Sequence, residues 1–263
     1  LDGLPIVVKD NIAVSGWPMT NGLATQRISN ADADIVINLR RQGVVMLGSA
    51  NMDEGALGAE GVNSHHGLIM NPNYPDLVTG GSSSGSAAAV AAGLCCAALG
   101  TDTLGSVRLP AAYCGLVGFK PSHGRLSNTG IISLHPELDA VGPITQSVAD
   151  SVHLMTQLEG WTVSIEQFPL DRLRWGVPDS FNRVELDLDV QQSFEFACTA
   201  LSNLVYPQSV TLPQWDPAVL RRSGLLLAEN HAACHWTNSV NAYSVRLRSM
   251  LRYGREATTG QLA

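Results

Sequence analysis

TGGSSSGSAAAVAAGLCCAALGTDTLGSVRLP, residues Thr79–Pro110, is built almost entirely of Gly, Ser, Ala and short apolar residues. It holds serine clusters at Ser82–Ser84 and at Ser106, and it contains no histidine. Serines set among glycines suggest a nucleophile exposed on a turn. A serine hydroxyl attacks only when a base takes its proton, so the stretch asks which serine reacts and where its base lies.

Gly81-Ser82-Ser83-Ser84-Gly85 matches G-x-S-x-G, the nucleophile elbow, with Ser83 at its centre. An elbow needs an acid and then a histidine downstream, and His123, His135, His153, His231 and His235 are available. A five-residue match also arises easily in a Gly/Ser-rich stretch. Gly100–Ser106, GTDTLGS, explains more. It follows an apolar strand and precedes a helix-like segment. Its small residues let successive amides turn toward one point, an oxyanion hole beside Ser106.

The base is sought outside the stretch. Lys9 ends the run LPIVVK, where Ile6, Val7 and Val8 flank it with apolar surface. Desolvation disfavours the ammonium, and a neutral amine accepts a proton from a hydroxyl. Ser82 is placed to carry that proton between Lys9 and Ser106, a nucleophile–base pair that needs no histidine.

The rest of the chain frames this pattern. Its 263 residues are 45% hydrophobic and 15% charged, the composition of a folded protein with a sizeable core. The net charge of −7 comes with no basic cluster, which argues against direct nucleic-acid or acidic-membrane partners and leaves an RNA-handling partner subunit open. No apolar run reaches the roughly 18 residues that span a bilayer. The chain shows no signal peptide, and it opens at Leu1 without Met inside an expected strand, so it reads as truncated at its start. The five cysteines are odd in number and lack ligand spacing, as expected of free thiols in a reducing, cytoplasmic setting. His65-His66 reads as a loop pair. His231 and His235 share a helix face but lack a third metal ligand, so packing is expected of them and no metal.

Strands are expected at Leu4–Asp10, Val44–Gly48, Leu94–Asp102, Leu173–Pro178 and in the run VTLP from Val210. Helices are expected at Ala31–Gly43, Ser86–Ala92, Ser147–Gly160, Asp187–Leu204 and Asp216–His235. This alternation implies an α/β fold with a largely parallel, covered sheet. Two junctions, Trp161–Glu166 and Ser202–Gln208, read as places where residues have been lost.

Four segments, LPIVVKDNI (Leu4–Ile12), GGSSSGSAAAVAAG (Gly80–Gly93), LGTDTLGSVRLPAAYCGLVGFKPSHGRLS (Leu99–Ser127) and LDAVGPI (Leu138–Ile144), stand in the order and spacing of the amidase signature family. The resemblance covers Leu1 to about Leu158. It implies a large twisted, mixed, mostly parallel sheet covered by helices on both faces. It makes residues 1–263 a single amidase-signature domain, incomplete at both ends. It implies a Ser–cis-Ser–Lys triad of Ser106, Ser82 and Lys9, with the Gly81–Ser82 peptide cis. The amides of Thr103, Leu104, Gly105 and Ser106 match the family's oxyanion hole, Ser83 and Asp102 match supporting positions, and Arg108 matches a structural arginine.

The implied activity is hydrolysis of a small-molecule carboxamide through an acyl-enzyme, with no cofactor. A homodimer or a partner subunit stays open. Two other functions stand beside it: a glutamine-hydrolysing subunit of a tRNA-dependent amidotransferase, and a scaffold impaired in catalysis. Leu104 and Ser84 depart from the family, which usually carries Gly at both. If position 104 needs φ > 0, leucine is strained there; if φ is negative, its side chain enters the acyl-binding space.

Overall fold

The structure is a computed structural model that describes residues 1–159, 169–179, 181, 184–212, 216–237 and 240–262. Two compact units are present, residues 1–162 with 226–263, and residues 163–225.

The larger unit is organised around one five-stranded sheet. In chain order its elements are β1 (Pro5–Lys9), α1 (Asp34–Arg41), β2 (Val45–Ala50), α2 (Ser84–Ala91), β3 (Ala97–Asp102), α3 (Arg108–Tyr113), β4 (Val117–Gly118), β5 (Ala140–Thr145) and α4 (Val148–Glu159). The strand order is β2-β1-β3-β5-β4. β1 pairs in parallel with β2 and β3, while β5 runs antiparallel to β3 and to β4, so four strands share one direction. This is the mixed, mostly parallel sheet expected.

Successive strand residues point to opposite faces, and each face is covered by helices. Ile6 and Val8 of β1, with Ala97 and Leu99 of β3, pack against Ile35, Val36 and Leu39 of α1 and Leu154, Met155 and Leu158 of α4. Val7, Ala98 and Ile144 pack on the other face against Ala87 and Val90 of α2 and Ala111 of α3. Both faces being apolar explains why β1 and β3 read as continuous apolar runs rather than as alternating ones.

α2 is made of small residues because it runs close to the sheet. The Gly85 amide donates to the Asn51 carbonyl at 2.9 Å just past β2, and the Ser86 hydroxyl donates to the Leu99 carbonyl of β3 at 3.0 Å. A Cβ at Gly85 would overlap the Asn51 backbone. α2 begins at Ser84, two residues earlier than the sequence pattern suggests. α6 (Pro217–His235) and α7 (Val245–Arg255) close the chain; Ala228 and Ala232 of α6 and Leu247 and Leu251 of α7 bury against Leu23, Met52, Ala56 and Leu134.

The smaller unit holds α5 (Leu188–Ser202). The strands expected at Leu173–Pro178 and from Val210 do not form among the described residues. Their segments lie side by side, joined by one isolated parallel bridge between Pro178 and Val210 and by the Gln208 amide on the Trp175 carbonyl at 2.8 Å. At Ser202–Gln208 the chain turns as the Val205 amide donates to the Leu201 carbonyl at 2.9 Å. Trp161–Glu166 lies outside the described residues. No helix among the described residues is long and apolar enough to cross a membrane. All five cysteines are free.

Because Gly85 meets backbone rather than a flexible side chain, Gly85→Ala must push α2 off the sheet. We expect it to lower the unfolding free energy by about 1–3 kcal/mol in urea denaturation. An unchanged midpoint would show that α2 can back away freely.

Candidate active site

The site is built where β1, β3 and the start of α2 meet. β1 delivers Lys9 at its last residue, and the side chain is completely buried. Its Nζ lies 2.8 Å from Ser82 Oγ, 2.9 Å from Thr101 Oγ1 and 3.4 Å from the Thr101 carbonyl. A neutral amine has two hydrogens and one lone pair. The geometry therefore lets it donate twice to Thr101 while accepting from the Ser82 hydroxyl. Burial pulls the Lys9 pKa down from 10.5 to about 7, against the opposing pull of Asp53, Asp139 and Asp102. Asn11 steadies the acceptor: its Nδ2 donates to Thr101 Oγ1 at 3.0 Å and to the Ile132 carbonyl at 3.3 Å.

Ser82 is fully buried and follows a cis peptide at Gly81–Ser82. Its carbonyl accepts from the Asp53 amide at 3.2 Å. Ser83, also fully buried, caps the start of α2; its hydroxyl donates to the Thr101 carbonyl at 3.3 Å and its amide to the Ser106 carbonyl at 3.1 Å. No histidine hydrogen-bonds to Ser83 among the described residues, and the elbow arrangement is not formed. His231 and His235 instead turn their Nδ1 atoms to the Leu134 and His231 carbonyls, and His123 turns its Nε2 to the Pro136 carbonyl.

Ser106 is half-buried on the loop between β3 and α3. The Ser83–Ser106 backbone bond ties it to the serine loop, while its hydroxyl makes no hydrogen bond to Ser82 among the described residues. The loop around it is shaped by Asp102, the fully buried last residue of β3. The Asp102 carboxylate accepts from the amides of Gly105 at 2.7 Å, Val107 at 3.2 Å and Arg108 at 3.3 Å, and from the Arg108 guanidinium through Nε and Nη2 at 2.9 Å each. Burial alone would raise the Asp102 carboxyl, but the Arg108 fork and these amides together hold it below the usual carboxylate range. Arg108 thus acts on the loop through Asp102.

The Gly105 amide, expected among the oxyanion donors, is occupied by Asp102 in this conformation. Gly105 has φ 129°, a region that favours glycine. Leu104 is not among the residues with positive φ, so its backbone is unstrained, and its side chain is 44% exposed. Its amide has no acceptor among the described residues. Thr103 is fixed by its hydroxyl, 2.5 Å from Asp139 Oδ1. Asp139 Oδ2 also gathers the Ser133 hydroxyl at 2.7 Å and the Leu134 amide at 2.8 Å. Ser84 is fully buried at the first position of α2 and carries no positive φ, so a serine fits where the family usually has glycine.

A cavity of about 310 Å³ lies beyond Ile132, lined among others by Asn21, Ile132, Ser133, His231, His235 and Trp236. The rings of His231 and His235 stack with centroids 4.2 Å apart. His65 pairs with Glu54 at 3.1 Å and His66 with the Leu23 carbonyl at 2.9 Å. No cluster that could hold a metal ion occurs among the described residues. Sequence reasoning passed over Thr101, Asp139 and Asp53 as site residues. Thr101 and Asp139 sit inside segments already singled out, but nothing in residue type alone marks them as partners of Lys9 and Thr103.

A profile of the family described as Amidase matches residues 1–256. The A-type subunit of the glutamyl-tRNA(Gln) amidotransferase of Salinibacter ruber (strain DSM 13855 / M31) is 40% identical over 208 residues, 73% of this chain and 40% of that protein. Its counterpart in Campylobacter jejuni (strain RM1221) is 46% identical over 162 residues, 61% of this chain and 36% of that protein. A solved structure described as an amidase superposes with a TM-score of 0.90 at 34% identity, over all of this chain and 61% of that one. The chain thus spans under half the length of these curated relatives. A match over nearly every residue, with the site segments inside it, means that the chain belongs to the amidase family.

Proposed function

We propose that this chain carries an amidohydrolase centre that cleaves the C–N bond of a small carboxamide through a Ser106–Ser82–Lys9 relay. The observation that carries this reading is the fully buried Lys9 amine, 2.8 Å from Ser82 Oγ, with its pKa near 7. Neutral Lys9 takes the Ser82 proton as Ser82 takes that of Ser106, and Ser106 Oγ attacks the amide carbon. The oxyanion is received by the backbone amides of the 103–106 loop, with Thr103, Leu104 and Ser106 as donors in the conformation where Asp102 occupies Gly105. Ser82 returns a proton to the leaving nitrogen, which departs as ammonia or an amine. Water then enters by the same relay and releases the acid.

The second reading is a glutamine-hydrolysing subunit that works with a partner. It is favoured by the two relatives named as amidotransferase subunits. Ammonia release from a panel of simple amides, urea derivatives and glutamine separates the two: release without any partner supports the first, and glutaminase activity only with a partner supports the second. An impaired scaffold loses one of its motives, since Leu104 carries no backbone strain.

Ser106→Ala is expected to lower ammonia release by three or more orders of magnitude with the melting temperature unchanged. Activity near the wild-type level would remove Ser106 as nucleophile. The required form of Lys9 is neutral, so labelling of Ser106 by a fluorophosphonate should rise with pH through about 7 and fall about tenfold per pH unit below it. A rate that declines steadily from pH 6 to 9 in the folded protein contradicts the base assignment. Leu104→Gly is expected to hold or raise turnover of bulky amides, because it clears side-chain volume without a backbone penalty; a large loss would make the leucine part of the working pocket.

A further inference from the structure

Three carboxylates act on the Lys9 charge: Asp53, Asp139 and Asp102. Two are already satisfied. Asp102 is held by the Arg108 fork and three amides. Asp139 is held by Thr103, Ser133 and the Leu134 and His135 amides. Asp53 is different. It is 2% exposed, its Oδ1 accepts from the Val62 amide at 2.8 Å, and its Oδ2 is buried with no hydrogen-bond partner among the described residues.

The place of that oxygen is specific. Oδ2 occupies the space where a side chain on Gly81 would stand, directly before Ser82. Gly58 closes the other side, where a Cβ would meet Asp53 Cβ and Cγ at 2.7 and 2.8 Å. The Asp53 amide holds the Ser82 carbonyl at 3.2 Å. A buried carboxylate oxygen left without a donor is unfavourable unless a charge compensates it. The cation at hand is the one the relay creates. When the proton of Ser106 passes through Ser82 to Lys9, an ammonium forms at a fully buried position.

We infer that Asp53 is a positioning residue of the relay: its buried carboxylate is the counter-charge for the ammonium formed at Lys9, and its backbone and side chain together fix the Gly81–Ser82 segment. This rests on the Ser106–Ser82–Lys9 reading. The proton leaves Ser106, crosses Ser82, resides on Lys9 opposite Asp53, and returns through Ser82 to the leaving nitrogen; no other reactant is needed. The other charges facing these groups are accounted for. Asp10, next to Lys9, is bonded to Thr20. Arg246 of α7, which also acts on Asp53, is exposed and pairs with Glu60 at 3.2 Å. Burial raises the Asp53 carboxyl to about 6, against the pull of the Val62 amide, of Lys9 and of the Gly61 amide, close to where Lys9 titrates.

The test is Asp53→Asn, which keeps shape and an acceptor for Val62 but removes the charge. Loss of a neighbouring anion disfavours the ammonium, so the Lys9 pKa falls and the acid limb of the pH–rate profile moves to lower pH. The readout is fluorophosphonate labelling of Ser106 in the full chain, which requires no known substrate. We expect the half-maximal pH to drop by about one pH unit and the plateau rate to fall. A folded variant with an unmoved profile overturns the role of Asp53 while the relay stands. Absence of labelling in the unaltered chain overturns the relay itself, and the role of Asp53 with it.

A second measurement needs no variant of Asp53. The chain has two lysines, Lys9 and Lys120, so the ¹³Cε signal of Lys9 is readily assigned with Lys9→Met. Coupling to Asp53 predicts a titration that departs from the single-site form. A single-site curve overturns the proposal even where Asp53→Asn fails to fold.

Discussion

The arrangement of this site depends on one constraint, the complete burial of the Lys9 amine at the end of a strand inside the sheet. A charged ammonium there would need several strong partners, and the structure supplies neutral ones: Ser82 and Thr101. Burial without a direct ion pair is what lowers its pKa into the neutral range. A surface lysine with the same neighbours would remain a cation and could accept no proton. The apolar character of Ile6, Val7 and Val8 thus sets the Lys9 pKa as well as the core.

Keeping the amine dry while giving it acceptors requires three pieces of backbone to converge. β3 runs beside β1 and contributes Thr101. The segment before α2 contributes Ser82, and it reaches the sheet because α2 is built from Ala, Ser and Gly. At Gly100 a Cβ would stand 2.5 Å from Ser83 Oγ, so strand and helix start meet nearly atom to atom. The hydroxyls of Ser83 and Ser86 then bond to the carbonyls of Thr101 and Leu99. Small residues are therefore the condition for bringing two serines and a lysine together, and the low side-chain volume of Thr79–Pro110 follows from that.

Much of this was legible in the sequence. Continuous apolar runs gave away β1 and β3 because both faces of the sheet are covered there, and the spacing of Ile35, Val36 and Leu39 marked α1 because one face of that helix is buried. Lys9 and Ser82 are joined as residue type suggested. The runs expected as strands around Pro178 and Val210 meet, among the described residues, at one isolated parallel bridge and do not extend into a ladder. Asp53 and Asp139 were invisible to such a reading. Their roles come from long-range contacts, Asp53 with Ser82 and Asp139 with Thr103, and an acid in a sequence looks the same whether it ends in water or beneath a strand.

The loop carrying Ser106 shows how charge shapes a set of neutral groups. Asp102 gathers three amides and the Arg108 fork, and this is what bends the chain from β3 into α3. Gly105, with φ 129°, absorbs the turn, which relieves its neighbour Leu104 of any need for a left-handed backbone. A leucine at 104 therefore adds an exposed side chain without changing the path of the chain. Asp102 and Asp139 each fix one part of the loop, at Gly105 and at Thr103, while Asp53 fixes the facing serine segment. Three buried acids thus set the positions of neutral hydroxyls and amides. Asp102 and Asp139 have their hydrogen bonds met on the spot, and of the three Asp53 alone keeps, among the described residues, an oxygen without a donor.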